Sequence, residues 1–193
     1  MEINDYPLIL VFWNIFLAFL PCWAVYFLAT HSKLRKNRVI FALIFLFWLA
    51  MLPNTAYLFL MVRHLVDYCA DYDVYRVCRN GSWVVLFFFT YGLIGLPTFY
   101  YALSKMTDIV AQKWGKQAKK LFPLTVIPLT SVGLMFGLYE RFNSWDILKK
   151  PLSLLGAVTD YFNIPFLTTD FLVFTFTLYL IYYVTDFFWK LKR

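Results

Sequence analysis

Charge is scarce in this chain and unevenly placed. Only 15% of its 193 residues are Asp, Glu, Lys or Arg. The stretches 7–29, 39–62 and 83–104 hold none of them. A soluble domain keeps charge on the outside of every surface helix, so this pattern excludes an ordinary water-soluble fold. Histidine is scarcer still, with His31 and His64 the only two. They flank an apolar stretch long enough to span a bilayer, which excludes haem held by a histidine pair. No P-loop, Gly-x-Ser-x-Gly or His-Glu-x-x-His motif occurs. The apolar stretches lack central ionisable residues, which argues against a pump or proton-driven carrier. Fixed-period repeats and low-complexity tracts are also missing.

What fills the chain instead is apolar: 62% of residues are hydrophobic and 22% aromatic. A bilayer-crossing helix needs about 20 mostly apolar residues. Five stretches qualify, at 7–29, 39–62, 83–104, 121–139 and 171–189. The net charge of +7 invites a nucleic-acid reading until it is mapped. Twelve of the eighteen Lys and Arg residues lie between stretches one and two, between three and four, or after five. Nine of the eleven acids lie in the alternate segments. Short loops rich in Lys and Arg stay cytoplasmic. The charges therefore report orientation, and membrane lipids rather than nucleic acid are the expected partners. Glu2 and Asp5 precede the first stretch with no basic leader, so that stretch reads as a retained helix rather than a cleaved signal.

The sequence thus predicts an all-α, polytopic membrane bundle of five transmembrane helices. Its N-terminus lies outside and its C-terminus in the cytoplasm. The stretch 147–167 is apolar but interrupted by Asp160, Asn163 and Pro165, and reads as an outer interfacial segment. Five crossings do not divide into two equal inverted halves.

Two polar stretches fall on the predicted outer side. In the first, Pro53 lies about 21 Å along the helix from Val39, where its ring is expected to kink the backbone. Asn54 follows and needs partners, either in the kinked backbone and a neighbouring helix or along an outward-facing cavity. Continued at 100° per residue, Asn54, Tyr57, Met61, His64, Tyr68 and Asp71 form one stripe, with Arg63 pointing the opposite way. Such a stripe fits a funnel wall and equally fits a helix packed against protein. The second stretch is Arg141-Phe142-Asn143-Ser144-Trp145-Asp146. Helix capping and interface preferences account for its Asn-Ser-Trp-Asp portion.

His64, Asp67 and Asp71 have a spacing that suits one helical side, and Asp146 adds a further carboxylate. His64, Asp67 and Asp146 are accordingly the candidate proton-transfer residues, against the simpler reading of surface pairing with Arg63, Arg76 or Arg141. No metal or cofactor is expected. Gly133 and Gly137, like Gly92 and Gly95 with Pro97, mark close or bent helix contacts. Cys22 reads as a small buried group. Cys69 and Cys78 share the outer loop, where both a disulfide and two free thiols are permitted. Asn80-Gly81-Ser82 matches a glycosylation sequon and reads more simply as a turn.

Leu52-Pro53-Asn54-Thr55-Ala56-Tyr57, His64-Leu65 and Arg141-Phe142-Asn143-Ser144-Trp145-Asp146 resemble the signature of the predicted membrane proteins called domain of unknown function 1361. Tyr139-Glu140 departs from it where a Gly-Arg-like pair is expected, as does Met61-Val62-Arg63 where an acid is more usual. The resemblance implies a polytopic bacterial membrane protein in the cytoplasmic membrane and no particular reaction. Combined with the residues, it leads to an outward polar pocket lined by Asn54, Tyr57, His64, Asp67, Arg141, Asn143 and Asp146. Its expected ligand is a lipid headgroup or cell-envelope precursor. An accessory subunit that docks a membrane protein partner and a passive channel or carrier are the alternatives.

Overall fold

The computed structural model describes residues 2–3, 6–65, 83–142, 149 and 151–191. The fold is all-α apart from a short antiparallel pairing of Glu2–Ile3 (β1) with Tyr6–Pro7 (β2). Helix α1 spans Leu8–Thr30, α2 Ser32–Lys36 and α3 Arg38–Leu60, which runs into a 3-10 turn at Met61–His64. Then come α4 at Trp83–Leu138, α5 at Pro151–Asn163 and α6 at Pro165–Leu191. Four of the described helices, α1, α3, α4 and α6, are long and apolar enough to cross a membrane.

Local chemistry sets several of these boundaries. Asn37 opens α3 by accepting from the backbone amides of Val39 and Ile40 at 3.1 and 3.2 Å, a side-chain cap for otherwise orphaned donors. Proline opens both α5 and α6, where its missing N–H costs nothing. Helix α6 begins six residues before the expected 171, so the stretch 147–167 is divided between α5 and α6 instead of forming one segment. Asp170 is tolerated inside α6 because its carboxylate accepts the Tyr139 hydroxyl.

Gly115 breaks α4, with φ 88° and ψ −177°. The glycine contacts show what the break does. A Cβ on Gly95 would lie 2.8 Å from the Thr55 carbonyl, and one on Gly133 would lie 2.3 Å from Pro53 Cγ. In a straight helix Gly95 and Gly133 would stand about 57 Å apart, yet both meet the same turn of α3. Residues 83–114 and 116–138 are therefore two arms of a hairpin. The Lys119–Asp108 ion pair at 2.7 Å closes its base, and Lys113 Nζ lies 4.0 Å above the Phe41 ring.

Helix α3 occupies the middle of the bundle. Its Trp48, Leu52 and Ala56 are fully buried, in one cluster with Leu28 of α1, Phe99, Leu103 and Met106 of the first arm, and Ile127 of the second. A second cluster joins Val11 and Ala18 to Leu58, Met61, Val84 and Phe88 near the other end of α1. Met135, Ala157, Tyr161 and Leu167 tie the second arm to α5 and α6. Buried hydroxyls bond to their own helices: Thr98 to Ile94, Thr107 to Leu103, Thr130 to Val126 and Ser131 to Ile127, at 2.7–3.2 Å. No polar group need face hydrocarbon at these positions. Pro128 cannot donate to the Leu124 carbonyl one turn back. The Tyr179 hydroxyl of α6 donates to that carbonyl instead, at 2.7 Å.

Candidate functional site

The polar stretch of α3 begins at its tightest contact. Pro53 presses its ring against Gly133, while Thr55 on the same turn meets Gly95. Helix α3 is continuous through Pro53. Two polar side chains return to its own carbonyls. Asn54 Nδ2 donates to the Met51 carbonyl at 3.0 Å, and Thr55 Oγ1 donates to Leu52 at 2.7 Å. Both bonds satisfy carbonyls of α3 itself.

Tyr57 lies one turn further along. Its ring packs on Gly137, with Cε2 3.2 Å from where a Cβ would be. Its hydroxyl accepts from Arg63 Nη2 at 3.1 Å, and the guanidinium carbon lies 5.9 Å from the ring centroid, within cation–π reach. Arg63 thus lies on the Tyr57 side, contrary to the expected opposite direction. Two physical reasons account for this. The 3-10 turn advances each residue by about 120° instead of 100°, and a long side chain on a helix sweeps back toward the N-terminus. Arg63 Nε is buried and finds no acceptor among the described residues.

Of the predicted stripe, Tyr68 and Asp71 lie outside the described residues, and Tyr57, Met61 and His64 disperse over three neighbours. Met61 is buried, and its sulfur accepts from Asn14 of α1 at 3.8 Å. The His64 ring lies 6.3 Å from Phe88 on the first arm. Tyr57 faces the second arm. These contacts belong to a helix packed on protein on several sides.

Arg141 lies one turn beyond Gly137, exposed, with a left-handed φ of 53°. This conformation is uncommon outside glycine, and it turns the chain so that the Phe142 amide reaches back to the Phe136 carbonyl at 3.0 Å. Nearby, Tyr161 of α5 is buried against Phe136 and Tyr139. Burial, with Glu140 next in effect, raises its phenol above the ordinary Tyr value.

Asp67, Asp71, Asn143, Ser144, Trp145 and Asp146 lie outside the described residues, as do Cys69, Cys78 and the Asn80-Gly81-Ser82 turn. Among the described residues, no three His, Cys, Asp or Glu side chains converge to hold a metal ion. The structure brings Pro53 and Tyr57 against the Gly133–Gly137 face, which ends at Arg141, while the Asn54 amide bonds to Met51 of its own helix. Sequence reasoning gave Arg63 as a surface-pairing partner on the opposite side of the helix and left it out of the pocket. The available signal was its position as the first charged residue after an uncharged 39–62 stretch.

The family model described as "Protein of unknown function (DUF1361)" matches residues 13–185. The chain belongs to the DUF1361 family. The match covers most of α1 through most of α6, including both polar stretches of the DUF1361 chain. No curated protein and no solved structure matches it.

Proposed function

We propose that this DUF1361 protein is a five-crossing protein of the bacterial cytoplasmic membrane that binds a phosphate-bearing lipid headgroup or envelope precursor on its outer side. The observation that carries the reading is Arg63. Its guanidinium is anchored on Tyr57 at 3.1 Å, while its Nε is buried without an acceptor among the described residues. A buried guanidinium donor is costly unless an acceptor meets it. A phosphate oxygen supplies that acceptor with charge-assisted geometry. Arg141, His64, Asn143 and Asp146 complete the site in this reading, beside Asn54 and Tyr57. His64 and the carboxylates of Asp67 and Asp146 are its groups for any proton transfer.

Support for five crossings comes from the hairpin at Gly115. Each arm is long enough to span, and both pack along α3. The basic residues of the 31–38 and 105–120 segments then share the cytoplasmic side with Lys190.

Binding is tested with the purified protein in nanodiscs of phosphatidylcholine, titrated with short-chain phosphatidic acid. Arg63→Gln is expected to weaken binding about tenfold to a hundredfold, the worth of a charged hydrogen bond. Equal affinity of variant and parent would sink the headgroup reading. Loss of a co-purifying protein, with lipid affinity unchanged, would replace it by the accessory-subunit reading.

A further inference from the structure

Helix α1 and the first arm of α4 leave an open groove of about 710 Å³ between them. Cys22 and Thr98 are its most buried residues, and the Cys22 thiol donates to the Thr98 carbonyl at 3.4 Å. These two small side chains let the helices approach closely. Phe19, Trp23 and Tyr26 line it from α1, and Leu93, Pro97 and Tyr101 from α4. Trp23 is 47% and Leu93 43% exposed, so in a bilayer the groove opens onto hydrocarbon.

We infer that this groove holds one acyl chain of a membrane phospholipid, drawn from the leaflet nearest the α1–α3 connection. The inference rests only on the chain crossing a membrane and does not depend on the Arg63 site. Length is the first argument. From Thr90 to Tyr101 the groove runs about 16 Å along the helix, close to half of a hydrocarbon core about 30 Å thick. Depth is the second. Phe19 is the middle residue of α1, and Tyr26 is one turn from its end, so along α1 the groove lies in one leaflet's half.

Size is the third argument. The volume spread over that length gives a cross-section of roughly 45 Å², ample for one extended hydrocarbon chain. The polar end is the fourth argument. Tyr26 and Tyr101 stand at the interface end, where tyrosine is favoured, and Lys105 follows Tyr101 by one turn. A phosphate beside Lys105 gains the electrostatic attraction of a basic residue near the surface. Lipid tails are as apolar as the groove, so retention comes from ring packing and this headgroup contact rather than from a hydrophobic gain.

The test uses the full chain in nanodiscs containing a phospholipid with a photoactivatable group in mid-chain, the adducts being mapped by mass spectrometry. Trp23 and Leu93 should carry about tenfold more label than Leu86 and Phe176, which are also exposed but lie outside the groove. Leu93→Trp, which fills the groove from its exposed rim, should abolish the excess at Trp23 without changing the label at Leu86. Thr90→Phe, exposed further along the same rim, should do the same. Even labelling of all four positions in the parent protein overturns the inference, as does a crosslink through Trp23 to a second copy. Persistence of the Trp23 excess in both folded variants overturns it too.

Discussion

A single methyl group is the smallest change that probes how α3 is held. On Gly133 it would fall 2.3 Å from Pro53 Cγ and 2.9 Å from Pro53 Cβ, so the ring or a helix has to move. Gly133→Ala should destabilise the protein by about 1–3 kcal/mol, the usual cost of overpacking. Pro53→Ala removes the ring that the methyl meets. The double variant should therefore be more stable than the sum of the single effects, a coupling read by a double-mutant cycle of denaturant unfolding in micelles. Additive effects would show that the two residues do not oppose one another. Gly95 offers no such rescue, because its obstacle is the Thr55 carbonyl at 2.8 Å. Tyr179 is a residue of a different kind, since its hydroxyl substitutes for the N–H that Pro128 lacks. Tyr179→Phe should cost about 0.6–1.7 kcal/mol, from the average to the largest value found for interhelical hydrogen bonds by double-mutant cycles in a membrane protein. In a Pro128→Ala background, where the restored backbone amide can reach the Leu124 carbonyl, that cost should largely vanish. A full cost in both backgrounds would mean that the tyrosine acts through packing alone.

At the scale of elements, one backbone conformation decides the shape of α4. Unbroken, its 56 residues would form a rod about 84 Å long, far beyond any bilayer. Gly115 adopts φ 88° and ψ −177°, a region open essentially to glycine alone. A Cβ there meets nothing within 4 Å, so Gly115→Ala isolates the backbone cost, about 1–3 kcal/mol. Gly156 of α5 is the control, equally free of neighbours within 4 Å but inside a helix with ordinary φ. Gly156→Ala should stabilise by about 0.5–1 kcal/mol. Thermal unfolding of the two variants should shift in opposite directions, and a parallel shift would refute the conformational account of Gly115. The sequence marked this connection by its lysines and placed the helix ends at 104 and 121. The helices run on toward Gly115 because apolar periodicity reports only the part in hydrocarbon. Residues such as Lys113 and Lys119 continue a helix in the polar region, satisfied there by Phe41 and Asp108.

For the whole molecule, what was legible in the sequence was what hydrocarbon enforces. Uncharged stretches became helices, and the paired glycines became contacts, because a bilayer leaves few other solutions. The site was less legible. The stripe from Asn54 to His64 assumed a uniform 100° turn, and the 3-10 segment at Met61–His64 broke that assumption just where Arg63 turns back to Tyr57. Crossing number carries the last prediction. If α4 crosses twice, as its return to α3 through Gly95 and Gly133 requires of a membrane-embedded hairpin, the chain makes five crossings and its ends lie on opposite sides. A single crossing by α4 would leave four, with both ends on one side. Cysteines introduced beside Glu2 and Lys192 in a Cys22→Ala, Cys69→Ala, Cys78→Ala background, treated with a membrane-impermeant thiol reagent in intact cells, separate the two cases. Labelling at the N-terminal position alone is the expected result, since the proposed orientation puts Lys33, Arg35 and Lys36 of the α1–α3 connection in the cytoplasm. Labelling at both ends would remove one crossing and with it the common outer side of His64 and Arg141. Labelling at the C-terminal end alone would keep five crossings and invert them, placing the Arg63 site on the cytoplasmic face.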